Sequence, residues 1–308
     1  MARNVILISD PGIDGAFAIA LALHDPELNV LGIAATAGNV PPDQATKNVQ
    51  IIIEQTDPRR WPRLGAALPL EYDVDGRRLH GADGLGGSGF PCARLHHSHP
   101  SDKLLIDLVR QHPKELTVVA LGPLTVLARA FDRDPELPSL IQRLVCVGGA
   151  WHEPGDVSAA AEFHFFCDPA SARQVLQCGV PTLLLPLDVT RKLLFAPTHL
   201  LELPNPESHT CTFLRKIVPF GIGATSSLLG LEGFHLKDVL GIVALSVPAA
   251  LTTKPMIVDV ETRGELTRGM SVVDARRNRT AKPNVELATD VDLEAVSVVV
   301  ADAEVHLL

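Results

Sequence analysis

The chain has 308 residues, of which 46% are hydrophobic, 20% charged and only 4% aromatic, a composition typical of a globular protein with a large aliphatic core. Its formal net charge is -9, from 27 basic and 36 acidic residues, so the overall balance does not suggest the phosphate-neutralising surface of a nucleic-acid-binding protein. These values favour a small neutral or cationic ligand, and the length fits either one domain, residues 1-308, or two closely joined halves.

The five cysteines are odd in number and form no C-x-x-C pair, which argues against a disulfide framework and against a zinc site. No targeting segment is visible at the start of the sequence. The longest apolar stretch, Leu240 to Leu251, contains Pro248 and is shorter than the roughly 20 residues that cross a bilayer, so we expect a buried helix there. These features predict a cytoplasmic protein that does not bind membranes.

Aliphatic segments alternate with segments of helical spacing along the first two thirds of the chain. The near-continuous hydrophobicity of the aliphatic segments predicts strands that are covered on both faces. The predicted strands are Val5 to Ile8, Val30 to Ala35, Leu116 to Leu121, Arg143 to Val147 and Pro181 to Leu187. The predicted helices are Gly15 to Leu23, Pro42 to Gln55, Ser101 to Gln111, Pro123 to Phe131 and Pro169 to Gln177.

This order predicts an α/β fold with an open, mostly parallel sheet flanked by helices. The Gly-rich segment from Leu64 to Pro100 interrupts the order, and a long loop of this kind is often a lid or a binding loop. After Asp188 the pattern is more helical up to Leu251. Short strands are then expected at Met256 to Glu261, at Met270 to Val273 and near Val298.

Two carboxylates, Asp10 and Asp14, directly follow the first predicted strand, in the segment Ser9-Asp10-Pro11-Gly12-Ile13-Asp14-Gly15. Ligands of open α/β sheets bind beyond the carboxyl ends of the strands, so a binding site is expected here. Capping of the following helix is the structural alternative for both carboxylates.

Further motifs occur in a fixed order along the chain. They are Asp10-Pro11-Gly12-x-Asp14, Gly38-Asn39, Gly122-Pro123-Leu124-Thr125, Gly148-Gly149-Ala150, Ala161-Glu162-Phe163, Asp168-Pro169, Leu187-Asp188-Val189-Thr190, Asp238 and Thr267-Arg268-Gly269. Together they resemble the inosine-uridine nucleoside hydrolase family. The resemblance implies hydrolysis of the N-glycosidic bond of ribonucleosides with a bound calcium ion, and assembly into homodimers or homotetramers.

The resemblance also implies roles for individual residues. Asp10 would contact both calcium and the attacking water and take the proton of that water, while Asp238 and the backbone carbonyl of Leu121 would complete the calcium ligands. The remaining positions would bind the substrate: Asp14, Asn39 and Asp238 at the ribose hydroxyls, Glu162 and Asp156 at the 5′-hydroxyl with His164 nearby, and His80 in a loop over the base.

The sequence departs from the family pattern at this site. The usual opening is D-x-D-P-G-x-D-D, whereas this chain has Ile8 for the first aspartate and Gly15 for the last, a calcium ligand. Lys237 stands where many members carry a histidine that can protonate the leaving base. A lysine of ordinary pKa is a poor proton donor near neutral pH, but Lys237 could pair with Asp238 or replace part of the charge of the metal.

Asp156 and His164 occupy positions where the family usually has asparagines. Asp156 could equally be a turn residue after Gly155, and Asp238 could be a helix cap. His80 could simply be solvated. An unpaired carboxylate at Glu162 would be costly in its apolar surroundings.

Outside the predicted site, His96, His97 and His99 are best explained as a surface loop because they lack the spacing of a metal site. Thr267-Arg268-Gly269 is best explained as a structural turn.

Two classes of function are compatible with these residues. The first is a nucleoside hydrolase that uses Asp10 as base, either with calcium in a reduced set of ligands or with Lys237 in place of part of its charge. The second is a catalytically silent relative that binds a ribosyl ligand or acts as an assembly partner.

Overall fold

A ten-stranded sheet organises the fold in the computed structural model, which describes residues 2–70, 75–93, 99–201, 207–278 and 280–296. The strands lie in the order β11-β10-β12-β7-β6-β5-β1-β2-β3-β4. Their bounds are β1 Arg3–Ser9, β2 Leu28–Ala35, β3 Arg63–Ala66, β4 His99–Pro100, β5 Leu116–Leu121, β6 Arg143–Val147, β7 Thr182–Leu185, β10 Leu251–Val260, β11 Ser271–Asp274 and β12 Val285–Val291. Two further short strands, β8 Leu194–Phe195 and β9 Phe234–His235, pair with each other.

Strands β1 to β7 pair in parallel, and β12 joins β7 in parallel before the antiparallel pairs β12–β10 and β10–β11. The predicted α/β class with an open, mostly parallel sheet is therefore confirmed. The β1 side chains alternate between two core clusters, with Val5 and Leu7 on one face and Ile6 and Ile8 on the other. Both faces of the strand are buried, which explains its continuous hydrophobicity.

Helices cover both faces of the sheet. They are α1 Ile13–His24, α2 Pro42–Thr56, α3 Arg77–His80, α4 Ser101–Gln111, α5 Thr125–Arg133, α6 Leu137–Leu140, α7 Phe163–Cys167, α8 Pro169–Leu176, α9 Leu187–Thr190, α10 Pro197–Leu201, α11 His209–Leu229 and α12 Val239–Ser246, with a 3₁₀ helix at Pro248–Ala250. Residues of α1, α2, α11 and α12 pack in the first core cluster, and residues of α4, α5 and α8 pack in the second.

The structure differs from the prediction in several elements. The strand predicted at Pro181 to Leu187 ends at Leu185, and α9 begins at Leu187. The stretch from Leu64 to Pro100 is not a continuous loop, because it contains most of β3, all of α3 and β4. The apolar run ending at Leu251 is a helix only as far as Ser246.

A further difference is β12, which was not predicted. It carries polar residues at Glu286 and Asp290 and has a mixed burial pattern, so it lacks a continuous apolar signal. The strand predicted near Val298 lies outside the described residues, as do His96 and His97. His99 is exposed in β4, and the predicted turn at Thr267-Arg268-Gly269 is confirmed, with Gly269 at φ 79 between β10 and β11.

Within the described ranges, no helix is both long enough and apolar enough to cross a bilayer.

Candidate active site

A cleft with a volume of about 350 Å³ opens at the carboxyl ends of the parallel strands. Asp10 follows β1, Asn39 follows β2, and the segment with Glu162 and His164 follows β6. The parallel topology therefore brings together residues that are far apart in the sequence. The cleft is lined by Asp14, Asn39, Asp75, Gly76, Arg78, Leu79, His80, Asp156, Val157, Phe163, His164, Leu228, Leu229 and Lys237.

Asp10 is buried behind this lining, and its two carboxylate oxygens differ in their surroundings. Oδ2 accepts a hydrogen bond from the backbone N–H of Asn39 at 2.9 Å, and the Asn39 side-chain amide donates to the Asp10 carbonyl at 3.1 Å. Oδ1 has no hydrogen-bond partner among the described residues. Burial raises the pKa of Asp10 to about 7, although the charge of His164 and the N–H of Asn39 lower it.

Two glycines make room for the Asp10 carboxylate. A Cβ atom at Gly38 would collide with Oδ2, and one at Gly122 would lie 2.8 Å from Oδ1. The glycines of the Gly38-Asn39 and Gly122-Pro123 motifs are thus required by the close approach of Asp10. Asp10 does not cap α1, because Gly12 occupies the N-cap position and makes no side-chain cap.

Asp14 lies in the first turn of α1, where its Oδ1 accepts from the N–H of Gly15 at 2.9 Å. His80 packs beside it, with Nδ1 4.0 Å from Asp14 Oδ1. This nitrogen accepts from the backbone N–H of Ile13 at 3.1 Å, so the proton of the neutral ring is on Nε2. Burial lowers the pKa of His80 to about 4. His80 is therefore a buried neutral side chain, and the alternative that it is solvated is wrong.

Glu162 is buried at the N-cap of α7 and accepts three backbone hydrogen bonds. Its donors are the N–H groups of His164 at 2.9 Å, Gly149 at 3.0 Å and Phe165 at 3.2 Å. These bonds replace the hydration that the carboxylate loses on burial.

His164 lies between two carboxylates. Its Nδ1 is 3.0 Å from the carbonyl oxygen of Val147, so Nδ1 is the donor in that bond, and Nε2 lies 3.6 Å from Asp10 Oδ1. Burial lowers the pKa of His164, but the charges of Glu162, Asp10 and Asp238 outweigh burial and raise it to about 9. The surrounding carboxylates thus favour the protonated form of the ring.

Lys237 supplies a second positive charge at the cleft wall. Its Nζ donates to Asp156 Oδ2 at 3.0 Å, and Asp156 Oδ1 accepts from the N–H of Phe163 at 2.8 Å. Burial lowers the pKa of Lys237, but the carboxylates of Asp156, Asp14 and Glu162 more than offset this and raise it. The predicted pairing of Lys237 with the neighbouring Asp238 is replaced by pairing with Asp156, which orients the amine towards the cleft.

Asp238 occupies the N-cap position of α12 but makes no side-chain cap. Its Oδ1 has no hydrogen-bond partner among the described residues, and burial raises the pKa of the carboxyl well above its usual range, with the charge of Asp14 adding to the effect. The same kind of unsatisfied oxygen occurs at Ser9 Oγ. The capping alternative therefore does not explain Asp238.

The comparison with family sequences decides the identity of this site. The sequence model described as inosine-uridine preferring nucleoside hydrolase matches residues 5–297. The chain belongs to this family. The enzyme class predicted from the sequence, a nucleoside N-ribohydrolase, is thereby confirmed.

Relatives in two kingdoms are similar over almost their whole length. This nucleoside hydrolase is 33% identical over 299 residues to a pyrimidine-specific ribonucleoside hydrolase RihA of Klebsiella pneumoniae, with 96% of each chain covered. It is 31% identical over 314 residues to a probable uridine nucleosidase 2 of Arabidopsis thaliana, with 97% of each covered.

Solved structures agree with the fold. A structure described as plant nucleoside hydrolase PpNRh1 has a TM-score of 0.91 at 28% identity, with 99% of each chain covered. A purine-preferring ribonucleoside hydrolase from Gardnerella vaginalis also has a TM-score of 0.91, at 26% identity and 99% coverage of each chain. The predicted nucleoside hydrolase fold is confirmed.

The donor set of this nucleoside hydrolase does not fit the calcium ion implied by the resemblance. Calcium takes six to eight oxygen ligands, but Gly15 offers no side chain, and Asp10 and Asp238 are the two carboxylates left from the implied set. A Cβ at Gly15 would lie 3.1 Å from both Asp238 Oδ2 and Ser9 Oγ, so these side chains already crowd the start of the missing one. The described residues hold no group of three or more His, Cys, Asp or Glu side chains arranged for a metal.

Several cleft residues were not singled out individually from the sequence. Asp75 and Arg78 at the start of α3 and Leu228 and Leu229 at the end of α11 line the outer part of the cleft. No local pattern in the sequence separates these side chains from other surface residues. Ser9 stood in the opening motif, yet only the fold shows its unsatisfied hydroxyl.

Proposed function

We propose that this protein hydrolyses the N-glycosidic bond of a ribonucleoside, or of a related N-riboside, with Asp10 as the base that activates water. The observation that carries the proposal is the asymmetry of the Asp10 carboxylate. Asn39 holds one oxygen, and the other has no partner among the described residues. A held carboxylate with one free oxygen can orient a water molecule and accept its proton.

The reaction exchanges one bond at the anomeric carbon for another. The bond between C1′ and the base nitrogen breaks, its electron pair leaves with the base, and positive charge develops on the ribose. Water adds to C1′, its proton passes to Asp10, and the base nitrogen takes a proton from solvent at the mouth of the cleft. The anionic side chains beside the ribose stabilise the oxocarbenium-like charge.

The ribose would lie against the inner wall of the cleft. Asp14 and Asn39 would bind its secondary hydroxyls. Asp238 would also bind these hydroxyls, because its buried Oδ1 has no hydrogen-bond partner among the described residues. Asp156, held by Lys237, would bind the 5′-hydroxyl together with Glu162. The resemblance suggested these contacts, and the clustering of the side chains around one cleft supports them.

The base would occupy the outer part of the cleft. His80, whose neutral ring carries its proton on Nε2, lines the cleft together with the apolar side chains of Leu79, Leu228 and Leu229. An amphipathic planar base matches this combination of one donor and apolar surface. The relatives named above include pyrimidine-specific and purine-preferring enzymes, so both base classes belong in the assay.

Release of free ribose from a panel of purine and pyrimidine ribonucleosides tests the proposal. Asp10→Asn should lower kcat by about 10³-fold, because the amide cannot accept the proton of water. The matched control is Asp134→Asn, which removes a buried carboxylate that is bonded to Arg110 and does not line the cleft.

Equal activity of Asp10→Asn and the wild type would refute the role of Asp10. Binding of ribose without turnover of any riboside would favour the catalytically silent alternative. The predicted homodimer or homotetramer stays a prediction, which light scattering after size-exclusion chromatography tests.

A further inference from the structure

The imidazole of His164 lies next to the free oxygen of the proposed base. Its Nδ1 donates to the Val147 carbonyl at 3.0 Å, and this bond directs the opposite nitrogen, Nε2, at Asp10 Oδ1, 3.6 Å away. Glu162 lies on the other side, with Oε1 3.7 Å from Nδ1. The ring is buried, so water does not screen it from either carboxylate.

The cleft gathers five acidic side chains, all of them buried or largely shielded from solvent. They are Asp10, Asp14, Asp156, Glu162 and Asp238. Buried negative charges need compensation from nearby cations or hydrogen-bond donors. A calcium ion would supply two positive charges, but with glycine at position 15 the implied ligand set keeps only the carboxylates of Asp10 and Asp238, fewer oxygens than calcium prefers.

Two basic side chains stand in the same cluster, at positions where the resemblance gives an asparagine and a histidine. His164 lies against Asp10, and Lys237 is bonded to Asp156. Both residues line the cleft, so their charges act on a bound substrate. Relative to the family pattern, aspartates are lost at Ile8 and Gly15 and a basic ring is gained at His164, whereas the bonded pair Lys237 and Asp156 adds one charge of each sign.

From this arrangement, and resting on the proposed function, we propose that the enzyme works without calcium, with His164 and Lys237 replacing the ion. His164 is a positioning residue, which orients the Asp10 carboxylate and balances its charge while Asp10 accepts the proton of water. Lys237 holds Asp156 and offsets the remaining negative charge of the cleft.

Calcium binding is the first test because it does not depend on turnover. Wild-type protein is stripped with EGTA, dialysed and titrated with CaCl₂ by calorimetry, and its Tm is measured with EGTA and with 5 mM CaCl₂, a concentration on the order of a thousandfold above the Kd of a micromolar site. We expect no heat of binding and no change in Tm. One calcium ion bound per chain, or a Tm raised by calcium, would overturn the proposal.

A double variant tests whether residues 15 and 164 are the cause. Gly15→Asp with His164→Asn restores the family residues at both positions, and we expect calcium to raise its Tm by about 2 °C or more. If this variant folds and calcium leaves its Tm unchanged, the assignment to these two positions fails. If it does not fold, the kinetics of the single variant His164→Asn still test whether His164 positions Asp10.

His164→Asn should lower kcat by about 100-fold, with KM changed less than threefold, and to the same extent in EGTA and in calcium. A raised KM with unchanged kcat would mean that His164 only binds ribose and would overturn the positioning role. The matched control is His24→Asn, since His24 also bonds a backbone carbonyl, that of Thr56, but does not line the cleft.

The outcomes separate the two proposals. Wild-type turnover that disappears in EGTA and returns with calcium would refute calcium independence and leave hydrolysis standing. Absence of turnover on every riboside would refute hydrolysis, and the calorimetric titration would still decide whether calcium binds.

Discussion

Nε2 of His164 lies 3.6 Å from Oδ1 of Asp10, although 153 residues separate the two in the chain. The other oxygen of Asp10 is held by the N–H of Asn39 at 2.9 Å. The carboxylate is thus held from one side by a backbone N–H and faces the imidazole of His164 from the other. This arrangement makes the charge of the Asp10 carboxyl depend on its neighbours.

The pH dependence of the reaction should follow the ionisation of Asp10. Burial raises the pKa of Asp10 to about 7, and only the ionised carboxylate accepts a proton from water. We expect kcat/KM to fall about tenfold per pH unit below pH 7 and to reach a plateau above it. Initial rates of ribose release from pH 4.5 to pH 9 measure this profile. An unchanged rate down to pH 5 would contradict the raised pKa.

The Lys237–Asp156 pair should be energetically coupled because its 3.0 Å contact is largely shielded from water, with 22% of each side chain exposed. Lys237→Met and Asp156→Asn should each lower the free energy of unfolding by about 2 kcal/mol, since each leaves one charge without its partner. The double variant should lose about 1 kcal/mol less than the sum of the two. Urea unfolding measures all three variants.

The exposed pair Lys192–Asp290, at 2.7 Å, is the control for this cycle. Because water screens it, we expect Lys192→Met and Asp290→Asn to be additive within about 0.5 kcal/mol. Equal coupling free energies in the two pairs would mean that burial does not strengthen the interaction between Lys237 and Asp156.

His80 should make the protein less stable in acid. Burial lowers its pKa to about 4, whereas the unfolded chain takes up the proton near 6.5, so the unfolded state binds more protons between these values. The contribution of the neutral His80 ring to the free energy of unfolding is fully present above pH 6.5 and is lost as the pH falls towards 4. At pH 5 the loss should be about 2 kcal/mol.

His80→Gln removes this titration and keeps a side chain that can accept from Ile13 N–H. The decrease in the free energy of unfolding between pH 7 and pH 5 should therefore be about 2 kcal/mol smaller in the variant than in the wild type. Urea unfolding at the two pH values tests this. An identical decrease in both proteins would mean that His80 is protonated in the folded state at pH 5.

Gly38→Ala should abolish most of the activity without unfolding the sheet. The new Cβ collides with Asp10 Oδ2, so the carboxylate must turn away from its bond to Asn39. We expect kcat to fall by about 100-fold, since misplacement of a catalytic group by about 1 Å has an effect of this size. Ribose release and circular dichroism measure activity and fold.

Gly223→Ala is the matched control because Gly223 lies in α11 with open space around its Cα. This substitution should leave kcat unchanged and raise the free energy of unfolding by about 0.5 to 1 kcal/mol. A similar loss of activity in both variants would show that the effect at Gly38 is not specific to Asp10.

Local sequence patterns predicted most of the sheet and the opening of the site. The strands at Leu116–Leu121 and Arg143–Val147 and the helix Ser101–Gln111 have the predicted bounds, because buried parallel strands and amphipathic helices carry strong periodic signals. β12 was missed because Glu286 and Asp290 interrupt its apolar signal. The helix α3, only four residues long, was missed inside a Gly-rich segment.

By itself the sequence determined the α/β class, the family and the position of Asp10 and Asp14 at the end of the first strand, since these follow from contiguous residues and short motifs. Only the tertiary structure decided that Lys237 pairs with Asp156 rather than with its neighbour Asp238, and that His164 faces Asp10. The physical reason is that charge compensation inside a cleft depends on distances across the sheet edge. These distances exist only once β1, β6 and the start of α12 have been brought together.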